Sequence, residues 1–263
     1  MGMVGGRQAR WGAVACAALL TALVSAGCAG PAETPSVIFV TLPPTPAPAG
    51  PTPTIGGVVI STSAPDDRWT VTFKKPVVSG ISATVAGKMN DAITSAVNGY
   101  IDAFTGSSLP AVALNGTRST LQGDFSIALD SPTIVSLRFT VFTNVAGAGL
   151  AGKPGSINLA SSTGAKINLT DVLSDPTAAL PTLSSQAHSA LAKSLGRQLT
   201  WSGSATAISF FDKAWAMTTS GLEFTWAQGV VAGSAAGMPS ANLAWSGIKS
   251  FIKASGPAEE FVR

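Results

Sequence analysis

The sequence predicts an α+β fold: a mostly antiparallel sheet packed by two main helices. Three observations predict it. Two long segments carry apolar residues at helical spacing, and several shorter ones alternate apolar with polar residues. The strand-like segments also come in runs between the helices rather than alternating strictly with them, as they would around a parallel sheet.

The opening strands are residues 57–62 and 69–73. In the second, Trp69, Val71 and Phe73 share one face and Thr70, Thr72 and Lys74 the other. Residues 76–81 continue extended. A helix follows, with Val85, Met89, Ile93, Val97, Tyr100, Ile101 and Phe104 on one stripe. Lys88, Asn90, Asp91, Asn98 and Asp102 fall mostly on its other faces. After a loop at 106–115, residues 121–129 and 133–144 alternate Phe125, Ile127, Leu129 and Val135, Leu137, Phe139, Val141 across a turn at Asp130-Ser131-Pro132. Two such runs joined by a short turn form an antiparallel hairpin. Residues 147–155, rich in glycine and free of acids, read as a loop.

Shorter strands are expected at 156–160 and 166–169, with Thr170-Asp171 capping a turn into Val172-Leu173. The second helix spans roughly 176–199, with Leu180, Leu183, Ala187, Leu191, Leu195 and Leu199 at helical spacing. Pro181 fits it only in the first turn. Another hairpin is expected from 207–217 and 222–226, turning at Thr219-Ser220-Gly221. A last strand at 241–245 leads into a short helix at 246–252.

The first 27 residues have the layout of an export signal. Arg7 and Arg10 precede an apolar run over 13–24, and Ser25-Ala26-Gly27 then leads to Cys28. The run is shorter than the roughly 20 apolar residues of a membrane-spanning helix. Ser-Ala-Gly-Cys resembles a bacterial lipobox, with Ser25 where an apolar residue is usual. That resemblance implies cleavage before Cys28 and acylation of its thiol. The alternatives are secretion after an Ala-x-Ala-like cleavage and an uncleaved anchor. The chain's two cysteines are Cys16 and Cys28. Cleavage would leave Cys28 as the single thiol, so no disulfide within one chain is expected, and acylation would anchor it stably. Residues 28–57 are crowded with Pro, Thr, Ala and Gly and read as an extended tether. Its apolar patch, Val37-Ile38-Phe39-Val40, is expected to pack locally or touch the membrane. The folded domain is then 58–263.

Removing Arg7 and Arg10 with the leader lowers the formal net charge from +3 to +1. Without a clustered basic face, nucleic-acid binding is not expected. Charged residues are 11% of the chain, against about 25% in typical domains, so Ser, Thr, Asn and Gly must form much of the surface.

No catalytic motif stands out. His188 is the one histidine; a triad or a zinc site needs partners for it that no motif supplies, so neither is expected, and His188 acting alone as a general base is the alternative reading. His188 reads as a surface or boundary residue of the second helix. Gly233-Ser-Ala-Ala-Gly237 misplaces the serine of a nucleophile elbow. Ser246-Gly-Ile-Lys249 matches Ser-x-x-Lys, but its companions Ser240-Ala-Asn242 and Lys153-Pro-Gly155 run in reverse order. A hydrolase would need a pair from Asp124, Asp130, Asp171, Asp175, Asp212 and Glu223; most of these are expected at turns or strand ends. Residues 224–247 mix Gly, Trp226, Gln228, Val230, Val231, Met238 and Trp245 and carry no charge. The plain reading is a buried strand, a neutral loop and another strand. The sharper one makes Trp226, Gln228 and Trp245 an exposed contact surface.

Several segments in order resemble the extracytoplasmic domain of the RsiV anti-sigma family, shared with mycobacterial secreted immunogenic proteins. They are Pro-x-x-x-Gly at Pro76 and Gly80, the amphipathic helix, the hairpin ending Ile-Val-Ser-Leu-Arg-Phe at 134–139, and Gly147-Ala148-Gly149. Ser-Ser-Thr-Gly-Ala-Lys-Ile-Asn-Leu-Thr-Asp-Val-Leu at 161–173, Gly-Leu-Glu-Phe-Thr-Trp at 221–226 and residues 231–237 complete the pattern over most of 58–252. The resemblance implies an α+β domain and, in the anti-sigma branch, binding of host lysozyme outside the cell. This sequence shows neither a sigma-binding segment nor a spanning helix. Leu150-Ala151-Gly152 stands where family members often carry His-Pro.

The function expected is therefore that of an envelope lipoprotein on the extracytoplasmic face of the bacterial cell membrane, lipid-anchored through Cys28. It would be monomeric, non-catalytic and free of cofactors and metal, binding a protein or a cell-wall glycan. A carboxylate hydrolase and an apolar-lipid carrier are the alternatives.

Overall fold

Strand alternation and one amphipathic helix build the first layer. The computed structural model describes residues 50–110, 117–146 and 148–263. Strands β1 (Thr54–Ser63) and β2 (Trp69–Ser79) form an antiparallel hairpin. Helix α1 (Ala83–Thr105) then crosses to β3 (Ser119–Asp130), which runs parallel to β2 over residues 69–73 and 119–123. A helical crossover is the ordinary way to join parallel neighbours. Antiparallel β4 (Ile134–Val145) and β5 (Gly149–Ala160) complete a five-stranded sheet in the order β1-β2-β3-β4-β5.

α1 is nucleated by Ser82, whose hydroxyl accepts from the Val85 N–H. It buries Met89, Ile93, Val97 and Phe104 against Phe73, Leu137, Phe139 and Ile157, each contributing about 1.5–3 kcal/mol. The Asn90 side chain bonds both the N–H and the C=O of Val78, at 2.8 and 2.9 Å. This clamps the helix to β2. Tyr100 stacks with Phe73 and meets Phe139 at a tilt of 60°, and burial pushes its phenol pKa upward.

The second layer is smaller. The Asn168–Asp171 capping box starts α2 (Leu169–Val172). Asp175 accepts from the N–H groups of Thr177 and Ala178 to start α3 (Pro176–Leu195), a cap worth about 1 kcal/mol. β6 (Trp215–Met217), β7 (Gly221–Thr225) and β8 (Ser240–Ala244) form an antiparallel sheet, followed by α4 (Trp245–Ile248). Leu183, Ala187 and Leu191 of α3 share a core with Met217, Leu222, Phe224 and Leu243. The fold is α+β, as the sequence predicts, with two sheets in place of one. Among the described residues no helix is long and apolar enough to cross a membrane.

Several element boundaries differ from expectation. β1 begins at Thr54, so residues 54–57 belong to the sheet and not to the tether. The glycine-rich stretch is strand: Gly149 to Gly155 pair residue by residue with Val145 to Phe139 of β4, and that pairing overrides weak local propensity. Only Trp215–Met217 of the expected strand at 207–217 pairs, because Ile208–Phe210 is a 3-10 turn. Lys166 makes a single bridge to Leu159 where a short strand was expected. α3 stops at Leu195, ahead of Gly196 with φ of 52°, and Pro181 stands in its second turn. The leader, Cys28 and residues 29–49 lie outside the described residues.

Candidate functional site

The five-stranded sheet has α1 on one face. Its other face divides into a covered half and an open half. In the covered half, β6 lies with one edge against polar side chains of β4 and β5. The Trp215 N–H donates to Ser156 Oγ at 2.9 Å, and the Met217 N–H to Ser136 Oγ and Asn158 Oδ1 at 3.0 and 3.2 Å. Asn158 Nδ2 donates to the Trp215 C=O at 3.0 Å. Ser136 and Asn158 are 0% and 2% exposed, so these bonds satisfy backbone groups that would otherwise be buried without partners. Beside them Arg138 Nη1 meets Glu223 Oε1 at 2.5 Å.

Past Arg138 the cover ends. Thr72, Gln122, Gly123, Asp124, Thr140 and Phe142 line an open concavity of about 340 Å³. Strand register explains the grouping. Thr72, Gln122, Phe142 and Gly152 form one row across four strands, and Asp124, Thr140 and Pro154 the next. At roughly 4.8 Å between strands, four strands span about 14 Å. Gly123 is required here, because a Cβ would lie 2.2 Å from the Phe73 ring beneath it. Asp124 accepts from the Phe125 N–H at 2.8 Å and stands 4.0 Å from Lys74. Phe142 is 36% exposed. Leu150 shares its side of the sheet by strand alternation and is also exposed. The surface combines hydroxyls, a carboxamide, a carboxylate and an apolar end.

A slightly larger cleft of about 390 Å³ lies between Thr133, Ser162, Ile167 and the last turn at Glu259–Phe261. Its charged groups are already engaged: Glu259 with Arg263, and Glu260 with the Thr133 hydroxyl. Both clefts are open to solvent, and neither is the enclosed apolar chamber that a lipid carrier requires.

The sequence-derived contact surface is corrected by burial. Trp226 is 4% exposed and lies among Trp201, Phe210, Phe211 and Phe224, with centroids 5.7–6.5 Å away. Trp245 is 6% exposed, stacks on Phe261 and donates its indole N–H to the Thr218 C=O. Both are core residues, with large apolar rings packed and indole edges hidden from ligand. Gln228 is half-buried; its Oε1 accepts from the Gly152 N–H and its Nε2 donates to the Ser234 C=O, both at 2.9 Å. It pins the loop at 226–239 to the outer edge of β5. The plain reading of this stretch is the one that holds.

The six acids also fall into place. Asp171 and Asp175 cap helices. Asp130 closes β3, and partial burial raises its pKa. Asp212 is exposed beside Lys213. Asp124 and Glu223 lie inside strands of different sheets, while the other four stand at caps, a turn or a strand end, as expected of most of the six. His188 is half-buried on α3, edge-on to Trp201. Among the described residues no three His, Cys, Asp or Glu side chains gather into a cluster.

The open-face residues were partly visible in the sequence. Thr70, Thr72 and Lys74 already read as the polar face of the second strand. Gln122, Thr140 and Phe142 carry no motif, and only register brings them together.

No protein-family model and no curated protein matches the sequence. Among solved structures, a DUF3298 family protein from Pseudomonas aeruginosa PAO1 superposes with a TM-score of 0.56, at 12% identity over 76% of this chain and 94% of that one. A DUF3298 family member from Bacteroides fragilis NCTC 9343 gives 0.50, at 11% identity over 82% and 98%. At such identities the likeness is one of fold, and the α+β architecture of this chain is one that these DUF3298 proteins share.

Proposed function

We propose that this chain is a lipid-anchored, RsiV-like protein of a bacterial envelope whose domain binds a cell-wall glycan and performs no chemistry on it. The observation that carries the reading is the open half-face at Thr72, Gln122, Asp124, Thr140 and Phe142. Its groups suit a hydroxyl-rich ligand. Threonine, glutamine and aspartate exchange water for sugar hydroxyls, and the C–H face of a sugar ring packs on Phe142. The flat row across four strands accepts an extended polymer, and the modest charge there favours a largely neutral one. The scattered acids and solitary His188 support the non-catalytic part. The likeness to DUF3298 structures supports the RsiV-like part at the level of fold. The layout of residues 1–28 supports the anchor.

Two experiments test it. Co-sedimentation with insoluble peptidoglycan should retain the native chain and release Phe142→Ala and Asp124→Asn chains; equal retention of all three, or of none, sinks the glycan reading. Capture of lysozyme in the absence of glycan would redirect it to a protein ligand. Intact-mass measurement of the membrane-extracted protein should show an acylated Cys28 as the first residue, and an unacylated start ends the anchor reading.

A further inference from the structure

The two edges of the five-stranded sheet are treated differently. The β5 edge is managed: the Gln228 N–H donates to the Gly152 C=O, and Gln228 Oε1 accepts from the Gly152 N–H. Farther along, the Ile167 N–H donates to the Asn158 C=O and the Ala160 N–H to the Ala165 C=O. Pro154, which has no N–H, removes one more edge donor. The β1 edge has none of this. Its 10 residues read Thr-Ile-Gly-Gly-Val-Val-Ile-Ser-Thr-Ser, with no charge and no proline. Val58 and Val59 are 45% and 63% exposed. Among the described residues only β2 bonds its backbone. A long, uncharged, β-branched edge is a template for an added strand.

We propose that the added strand is β1 of a second copy, paired antiparallel across a two-fold axis, in place of the monomer expected from the sequence. Three observations select this occupant. An antiparallel edge is its own complement, because a two-fold sets N–H groups opposite C=O groups when a strand meets itself. β1 carries no charge, so nothing repels a second β1, and a charged partner strand would find no counter-charge there. The nearest cations are engaged in their own sheet: Lys75 donates to the Thr94 hydroxyl, and Lys74 lies 4.0 Å from Asp124. The edge is also long enough. Residues opposite each other in a ladder share a face, so Val58 or Val59 lies on the axis and residues 54–62 or 55–63 pair with their mates. Such an overlap supplies about eight to ten main-chain hydrogen bonds, the number of a standard protein interface.

The pairing joins two five-stranded sheets into one. Because paired residues share a face, the open half-faces of both copies lie on the same side of it. Their β2 strands stand three strand spacings apart, about 14 Å. One extended polymer can then engage both faces, and its apparent affinity rises above that of either alone. This consequence rests on the glycan reading; the pairing does not.

Sedimentation equilibrium of the full chain in density-matched detergent tests the pairing. The native chain should sediment as a two-chain species when concentrated and dissociate on dilution. Val58→Lys combined with Val59→Lys sets cations on both sides of the axis and should raise the dissociation constant at least about a hundredfold. Mixing that variant with Val58→Glu combined with Val59→Glu should restore a two-chain species, which shows that both variants are folded and that the charge acts at the edge. A native chain that stays single at every concentration overturns the proposal. So does a two-chain species that survives the lysines or fails to return on mixing. Amide exchange gives a second reading: β1 should slow by about tenfold or more as the native chain is concentrated, while β3 and β4 keep their rates. Slow β1 exchange in a single-chain species would assign the edge to another segment and overturns the proposal as well. Neither readout involves glycan. A two-chain species that retains no peptidoglycan leaves the pairing standing and removes the function proposed above, and a single chain that retains it does the reverse.

Discussion

The covered and open halves of the sheet face that lies away from α1 are built from similar residues. Ser136, Arg138, Ser156 and Asn158 stand on one side of the divide, and Thr72, Gln122, Asp124 and Thr140 on the other. Among the buried side-chain polar atoms of the covered half, Arg138 Nε alone lacks a protein partner. The partners are mainly the outward N–H and C=O groups of β6. In the open half the same kinds of groups face water. A polar strand face is therefore a generic hydrogen-bonding surface. What it does depends on whether the chain supplies a second layer or leaves the place to a ligand.

If the covered half is held by these bonds, breaking them should unfold the layer. Asn158→Ala removes two accepted bonds and one donated bond at a site 2% exposed. It should destabilise the protein by about 3 kcal/mol, because the Trp215 C=O is left buried without a partner. A fall in the urea midpoint with an unchanged slope would show this. A cost under about 0.5 kcal/mol would mean that apolar packing alone seats β6.

Arg138→Met should cost less, about 2 kcal/mol, since the arginine side chain is 34% exposed and solvent screens the pair. Glu223, at 17%, would lose its cation partner. The double change with Glu223→Gln should recover part of that loss, and a double-mutant cycle in thermal unfolding reads the coupling. Ser156→Ala removes a single bond to the Trp215 N–H and should cost about 1 kcal/mol. The ratio of these three losses reports how the seal is shared along β6.

How much of this was legible beforehand depended on whether the deciding partner was local. The stripe of α1 is self-contained, and the buried set Met89, Ile93, Val97 and Phe104 can be read from spacing alone. Alternation in β4 also assigns Ser136, Arg138 and Thr140 to one side. It does not say that Ser136 meets β6 some 80 residues later while Thr140 meets solvent, because that depends on where a distant strand docks. The tryptophans failed for the same reason. A charge-free stretch containing Trp226 and Trp245 suits a contact surface or a core equally well. Phe210, Phe211 and Phe261, from other segments, close over them. The strand β5 was hidden by its glycines until β4 imposed the pairing.

The smallest expected effect on stability is the most informative about function. Gln122, Thr140 and Phe142 are exposed, and no side-chain bond holds any of them to the protein. Alanine at each should therefore shift the unfolding free energy by no more than about 0.5 kcal/mol. The same three changes should weaken peptidoglycan retention, with Phe142→Ala the largest at about tenfold, since it removes the apolar platform and about 1.4 kcal/mol of contact. Stability held and binding lost is the opposite of the pattern expected for Asn158 and Ser156. If instead Thr140→Ala and Phe142→Ala destabilise the domain as Ser156→Ala does, the open half is structural like its neighbour and the division of the face into seal and site is wrong.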